Sequence, residues 1–268
     1  DAVKVWFIPV QERNFEEMAK LVKLAGEEAH RQKLPLIVHA TGLREAKESL
    51  KAGATLLVHS VGDVPVDEEF LRLARENSAI YCPTLTVVDG YRRLYEAAET
   101  ATEPPVDDPN RCVDPETLSH IALTSQLGGK PADAATQERR RAYFATFEKI
   151  APANLKAVRD AGIPIAMGTD AGNPLTLHGP SVYAEMEAMQ SAGMTPMEVL
   201  VASTRTAAQA CGRADRIGTL EAGKEADLLV VEGDPSQDIK NLRRLRYVMR
   251  GGVLRGLDEL RPAPSTTP

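Results

Sequence analysis

The sequence has few cysteines, no long apolar run and no excess of positive charge, and each shortage argues against a class of protein. Its three cysteines, Cys82, Cys112 and Cys211, form no Cys-x-x-Cys pair, which argues against a disulfide framework or a thiolate metal site. No apolar run approaches the roughly 18 residues that span a bilayer. A net charge of -6 gives little support to nucleic-acid binding.

The rest of the composition is that of an ordinary globular protein. The 268 residues are 43% hydrophobic and 26% charged, which suits one large domain or one and a half. Residues 1–10 lack the basic start and long apolar core of a signal peptide, so we expect a cytoplasmic protein. The first residue is Asp rather than Met, so an export signal could lie upstream of this sequence.

Apolar runs alternate with amphipathic segments, which predicts a parallel sheet of the α/β class. Strands are predicted at residues 3–10, 36–40, 55–60, 79–88 and just before Asp170. Helices are predicted at residues 14–32, 43–52, 67–77, 137–161, 183–192 and 195–207. Residues 101–138, rich in Pro, Asp, Thr and Gly, are expected to form a long excursion on the active-site side.

The pattern changes after residue 213. Short strands with glycine turns are predicted within residues 217–231 and 245–254, and we expect residues 214–256 to form a small β-domain. Residues 257–268, which end in a stretch rich in Pro, Ser and Thr, are expected to be a disordered tail. The predicted domains are therefore 1–213, 214–256 and the tail.

Three apolar runs end on a possible metal ligand: His39, His59 and Asp170. In a (β/α)₈ barrel, catalytic groups sit where parallel strands end, so these side chains should meet at one mouth. Imidazole and carboxylate groups suit zinc and similar divalent ions. A lone histidine at a strand end is usually structural, and Asp170 could simply cap a helix. Two histidines in the same context, one βα unit apart, favour a metal site.

Only five barrel-type strands are present, whereas a barrel of this class needs eight. Five strands would leave two long unpaired edges, which a soluble protein does not tolerate. We therefore expect a partial barrel that is closed by a segment missing from this sequence, or by another chain.

The order and spacing of several motifs between residues 2 and 254 resemble those of the amidohydrolase superfamily, in particular its imidazolonepropionase-like and prolidase-like branch. The motifs are Ala2-Val3-Lys4-Val5, Val38-His39-Ala40, Val58-His59-Ser60, Met167-Gly168-Thr169-Asp170-Ala171-Gly172, and the stretches 202–208, 218–228 and 248–252. The resemblance implies strands four to eight of a TIM barrel, followed by the C-terminal strands of a small composite β-sandwich-like domain.

The resemblance also implies a binuclear metal-dependent hydrolase. Lys4 would be carbamylated and bridge two divalent ions, expected to be Zn²⁺, with His39, His59 and Asp170 as further ligands. A hydroxide bridging the ions would attack the substrate, and Asp170 would move the proton to the leaving group. The expected substrate is a small molecule with an amide, cyclic-amide or dipeptide-like C–N bond. Lactones, carbamates and phosphotriesters remain alternatives.

Two further residues are candidates for the catalytic site. His178 could orient the substrate or hydrogen-bond the reacting carbonyl, or it could be an ordinary loop histidine. Tyr91 could donate a hydrogen bond to a developing oxyanion, or it could simply pack on a helix face. A homo-oligomer is expected, with neither nucleic acid nor membrane as a partner.

The sequence departs from the family pattern because it contains no His-x-His, the motif that supplies two metal ligands from the first barrel strand. We expect that motif in the missing N-terminal segment. A non-catalytic truncated barrel that acts as a binding or assembly module is the alternative. A mononuclear deaminase would need a glutamate after the fifth strand, and residues 39–42 offer none.

Overall fold

Four parallel strands form the larger sheet of the molecule. The computed structural model describes residues 1–9, 14–127 and 132–262. The strands are Val3–Trp6 (β1), Leu36–His39 (β2), Ala54–Val58 (β3) and Ile80–Cys82 (β4). They pair in chain order, and the register sets Trp6 beside His39, His39 beside Val58, and Val58 beside Cys82. The carboxyl ends of all four strands therefore lie along one edge.

Helices separate these strands and follow them, which confirms the predicted α/β class with a parallel sheet. They are Phe15–Arg31 (α1), Leu43–Lys51 (α2), Glu68–Glu76 (α3), Val87–Thr100 (α4), Pro115–Ala122 (α5), Ala134–Asp160 (α6), Ser181–Ser191 (α7), Pro196–Val201 (α8), Ala207–Ala210 (α9) and Leu257–Leu260 (α10). A π-helical segment, Ala202–Thr206, joins α8 to α9. Across the described ranges, no helix is long and apolar enough to cross a bilayer.

Several predicted strands are shorter than expected. The run 79–88 ends at Cys82, because Pro83 has no N–H to continue the ladder and α4 begins at Val87. Before Asp170, only Ile165 forms a β-bridge, with Tyr81. The Ala166 N–H still donates to the carbonyl of Tyr81, but the Met167 N–H donates to the carbonyl of Ala202, so the strand pairing stops there. The first strand, predicted over residues 3–10, ends at Trp6, while Val10 itself lies outside the described residues.

Within the described residues, both edges of the sheet lack a further strand. There β1 pairs only with β2, and the bridge of Ile165 to Tyr81 has no counterpart on its other side. The described part of residues 101–138 is less irregular than predicted, because Asp114 caps α5, Pro115 starts it and Leu123–Gln126 adds a 3₁₀ turn.

A second, antiparallel sheet follows, with strands Leu228–Val231 (β5), Leu245–Arg250 (β6) and Val253–Gly256 (β7) in that order.

The disordered tail was predicted to start at residue 257, but residues 257–260 form helix α10. Glu259 accepts a hydrogen bond from the N–H of Gly256 and so caps the short helix α10, and Arg261 donates to the carbonyl of Asn110. Residues 263–268 lie outside the described residues. The domain boundary at 213 stays a prediction.

The buried amide of Asn154 on α6 holds the loop that follows β3. Its Oδ1 accepts a hydrogen bond from the N–H of Val66 at 2.9 Å. Its Nδ2 donates to the carbonyls of Val61 at 2.8 Å and Val64 at 2.9 Å. Asn154 is 2% exposed, so these groups have little access to water if the amide is removed.

Replacing Asn154 with Ala should lower the free energy of unfolding by about 2–4 kcal/mol, because buried backbone groups lose their partners. Urea denaturation followed by circular dichroism measures this change. Lys149→Ala, an exposed position on the same helix, is the control and should stay within about 0.5 kcal/mol of the parent. Equal stability of the two variants would show that the amide does not anchor the loop.

Candidate active site

The aligned strand ends bring two histidine rings together. His39 is the last residue of β2, and His59 directly follows β3. Their ring centroids lie 4.3 Å apart with the planes tilted by 65°. Lys4 of β1 opens on the same cavity, as does Asp170. The structure thus gathers the four predicted ligand residues around one cavity, with the backbone of Lys4 two residues before the end of β1.

His59 is held by its backbone and by one ring nitrogen. Its N–H donates to the carbonyl of Cys82 at 2.9 Å, and its Nδ1 lies 2.7 Å from the Thr84 hydroxyl. The other nitrogen, Nε2, lies 3.9 Å from Asp170 Oδ2. When Nδ1 carries the proton and donates to Thr84, Nε2 keeps a lone pair that faces the carboxylate side of the cavity.

Asp170 is fixed by an asparagine that the sequence analysis did not single out. Asn173 Nδ2 donates to Asp170 Oδ2 at 2.8 Å and to the Asp170 carbonyl at 2.9 Å. The Tyr91 hydroxyl in turn donates to Asn173 Oδ1 at 2.7 Å. Asn three residues after Asp in the turn Asp170-Ala171-Gly172-Asn173 was the local signal that could have revealed it.

Two glycines permit the close packing that this arrangement needs. A Cβ on Gly90 would overlap the carbonyl oxygen of Pro174, so only glycine lets α4 approach the loop after Asp170. That approach brings the neighbouring Tyr91 within reach of Asn173. A Cβ on Gly168 would come within 2.6 Å of Cys82 Sγ, so the segment that leads to Asp170 can lie against β4 only without a side chain there.

Three non-glycine residues of the site have left-handed backbone conformations. Their φ angles are 76° at His59, 46° at Thr84 and 55° at Asp170. This region is sparsely populated, and for a β-branched residue such as threonine it is a genuine outlier. Such strain persists only where surrounding contacts determine the conformation, and it concentrates at functional sites.

The electrostatic environment keeps both imidazoles neutral. Burial lowers the pKa of His39 to about 4, with His59 and Lys4 contributing and Asp170 opposing. Burial, followed by the charge of Lys4, lowers the pKa of His59 to about 4. Burial also lowers the pKa of Lys4, against the attraction of Asp170. Neutral imidazole is the form that binds metals, and neutral amine is the form that reacts with CO₂.

These residues open on a cavity of about 630 Å³. Tyr91 also lines it, whereas His178 is exposed and is not among the lining residues. His178 Nε2 instead lies beside Gly172, 3.6 Å from where a Cβ would stand. The lining also includes aromatic side chains and two guanidinium groups, from Trp6, Tyr95, Tyr143, Phe144, Phe147, Arg139 and Arg140.

The donor set fits one side of a metal site. Two neutral imidazoles and a carboxylate are suitable ligands for a divalent ion, and Lys4 would add oxygen ligands if it were carbamylated. In residues 1–9, 14–127 and 132–262, however, no group of three or more His, Cys, Asp or Glu side chains could hold an ion by itself. Further ligands, or a modified Lys4, are needed to complete a site.

Curated proteins of known function have similar sequences. Imidazolonepropionase of Shouchella clausii (strain KSM-K16) is 41% identical over 117 residues, which cover 42% of this chain and 25% of that protein. Ochratoxinase of Aspergillus niger is 27% identical over 240 residues, which cover 87% of this chain and 40% of that protein. The chain thus spans less than half the length of these relatives.

Solved structures show the same fold. A crystal structure of a Xaa-Pro dipeptidase with methionine bound in its active site matches with a TM-score of 0.67 at 22% identity, over 96% of this chain and 54% of the other. The crystal structure of A. niger ochratoxinase matches with a TM-score of 0.62 at 24% identity, over 94% of this chain and 50% of the other. The amidohydrolase family pattern covers residues 8–255, nearly the whole chain, and the protein belongs to that family.

Proposed function

We propose that this chain provides the metal-binding half of the active site of a hydrolase that cleaves amide, cyclic-amide or dipeptide-like C–N bonds. The observation that carries the proposal is the convergence of His39, His59, Asp170 and Lys4 on one cavity, at the carboxyl ends of parallel strands. Membership of the amidohydrolase family supports the reaction class.

The proposal includes the completion of the fold. We interpret β1 to β4 and the segment at Ile165 as strands four to eight of a (β/α)₈ barrel. The open ends of the sheet and the partial coverage of relatives support this interpretation. A preceding segment of the same polypeptide would add the remaining strands, further metal ligands and the strands that complete the small β-domain.

Lys4, His39, His59 and Asp170 would hold two divalent ions, with Zn²⁺ the best match to imidazole and carboxylate ligands. When bound, the ions would activate a water molecule and polarise the scissile carbonyl. Carbamylation would convert Lys4 from a cation into an anionic oxygen ligand. The lowered pKa of Lys4 favours that modification, because a larger fraction of its amine is uncharged.

The proton transfers fall to Asp170. Its carboxylate would accept a proton from the attacking water and deliver it to the leaving nitrogen. Asn173 fixes the orientation of that carboxylate, and Tyr91 fixes Asn173. Because the Tyr91 hydroxyl already donates its proton to Asn173, a role in binding an oxyanion would require that bond to break. We therefore assign Tyr91 to positioning, and the catalytic role of His178 stays a prediction.

His59→Ala should remove a metal ligand and so reduce both metal content and activity of the full-length protein. Equilibrium dialysis with Zn²⁺, followed by elemental analysis, measures the stoichiometry. His30→Ala is the matched control, since His30 lies exposed in the last turn of α1. Undiminished zinc content in His59→Ala would contradict the assignment, and no zinc in the parent would favour a non-catalytic binding module.

Asp170→Asn should lower kcat of the full-length enzyme by about 10²–10⁴-fold, the usual contribution of a general acid–base group. Metal content should fall much less, because the amide keeps the shape and one oxygen. Hydrolysis of a panel of N-acyl amino acids and dipeptides, with metal analysis on the same samples, separates the two effects. Asp215→Asn, an exposed carboxylate, is the control. Near-parental turnover in Asp170→Asn with metal bound would leave the mechanism without its base.

A further inference from the structure

A carboxylate of α7 is buried beside the candidate site without touching it. Glu185 is fully buried, and all three donors that reach it belong to Leu85 and Thr86, which directly precede α4 and lie about 100 residues away in sequence. Oε1 accepts the N–H of Leu85 at 2.7 Å, while Oε2 accepts the N–H of Thr86 at 2.9 Å and its hydroxyl at 2.8 Å. Burial raises the pKa of Glu185 to about 7, and these hydrogen bonds oppose the rise.

The bound segment immediately follows Thr84. Thr84 has the left-handed φ of 46°, which a β-branched residue adopts only when its neighbours are held in place. By binding the next two backbone N–H groups, Glu185 fixes the chain direction after Thr84. The position also suits a carboxylate electrostatically, because the N-terminal end of the α4 helix carries partial positive charge.

Two hydrogen-bond connections run from this segment into the site. The Thr84 hydroxyl lies 2.7 Å from His59 Nδ1, which leaves Nε2 facing Asp170. Helix α4 also carries Tyr91, which reaches Asp170 through Asn173. Movement of the start of α4 would therefore disturb both His59 and Asp170.

We propose that Glu185 is a positioning residue of the active site: by holding the start of α4, it keeps the Thr84 hydroxyl on His59 Nδ1, so that Nε2 is the nitrogen presented to the metal. The metal part of this inference rests on the proposed function, whereas the effect on the His59 ring does not. Glu185 itself touches no reacting atom.

Glu185→Gln tests the proposal, because an amide offers one oxygen and one NH₂ to two backbone N–H groups. One of those groups then faces another donor and loses its hydrogen bond. Glu187→Gln is the matched control on the same helix, where the carboxylate pairs with Arg243 instead. Circular dichroism and thermal unfolding establish that each variant is folded.

The decisive readout is the tautomer of His59 in the metal-free protein, measured from ¹⁵N chemical shifts of the imidazole and assigned with His59→Gln. We expect the parental tautomer ratio in Glu187→Gln and a changed ratio in Glu185→Gln, because Nδ1 then loses the Thr84 hydroxyl as its hydrogen-bond partner. Zn²⁺ affinity of the full-length protein should weaken about 10–100-fold, the scale for partners that orient a ligand. A folded Glu185→Gln with the parental tautomer would overturn the proposal.

A double variant tests the route through Thr84. Thr84→Val removes the hydroxyl directly, so adding Glu185→Gln to it should change the tautomer ratio no further. Additive changes would contradict that route. If Glu185→Gln fails to fold, Thr86→Val removes only one of the three donors and should shift the ratio in the same direction, and no shift would overturn the proposal. A parent that binds no zinc but shows the expected tautomer changes would refute the proposed function alone.

Discussion

The parallel hydrogen-bond ladder from β1 to β4 is the constraint on which the candidate site depends. Its register aligns Trp6, His39, Val58 and Cys82 across the sheet, so the residues that end each strand meet along one edge. Because side chains alternate between the two faces of a strand, a slip of one residue would turn His39 away from His59. The contact between the two rings, and the cavity that they line, follow from this register.

The sequence could predict the parallel sheet and the clustering of its strand-end residues, because both depend on local apolar runs and on their repetition. It could not predict the contacts by which Thr84 and Tyr91 orient the site, since those contacts join distant segments. Thr84 lies 25 residues from His59, and Tyr91 lies 82 residues from Asn173. His178 was singled out for its position after a strand, but the intervening turn leaves it exposed.

Buried polar side chains fix the turns from which the site is built. Asn154 holds the loop after His59, and Glu185 holds the segment after Thr84. These contacts hold the segments that follow His59 and Thr84, whose left-handed φ angles are unfavourable in isolation. The protein belongs to the amidohydrolase family, and these turns orient the groups that we propose bind metal and move protons.

The proposed metal site consists of His39, His59 and Asp170, with Lys4. Anomalous diffraction at the zinc absorption edge, from crystals of the full-length protein grown with Zn²⁺, tests it most directly. We expect an anomalous peak about 2.0–2.2 Å from an imidazole nitrogen of each histidine or from an Asp170 oxygen, and a carbamate on Lys4. A well-ordered site without such a peak, or zinc bound only elsewhere, would show that these residues do not form the metal site.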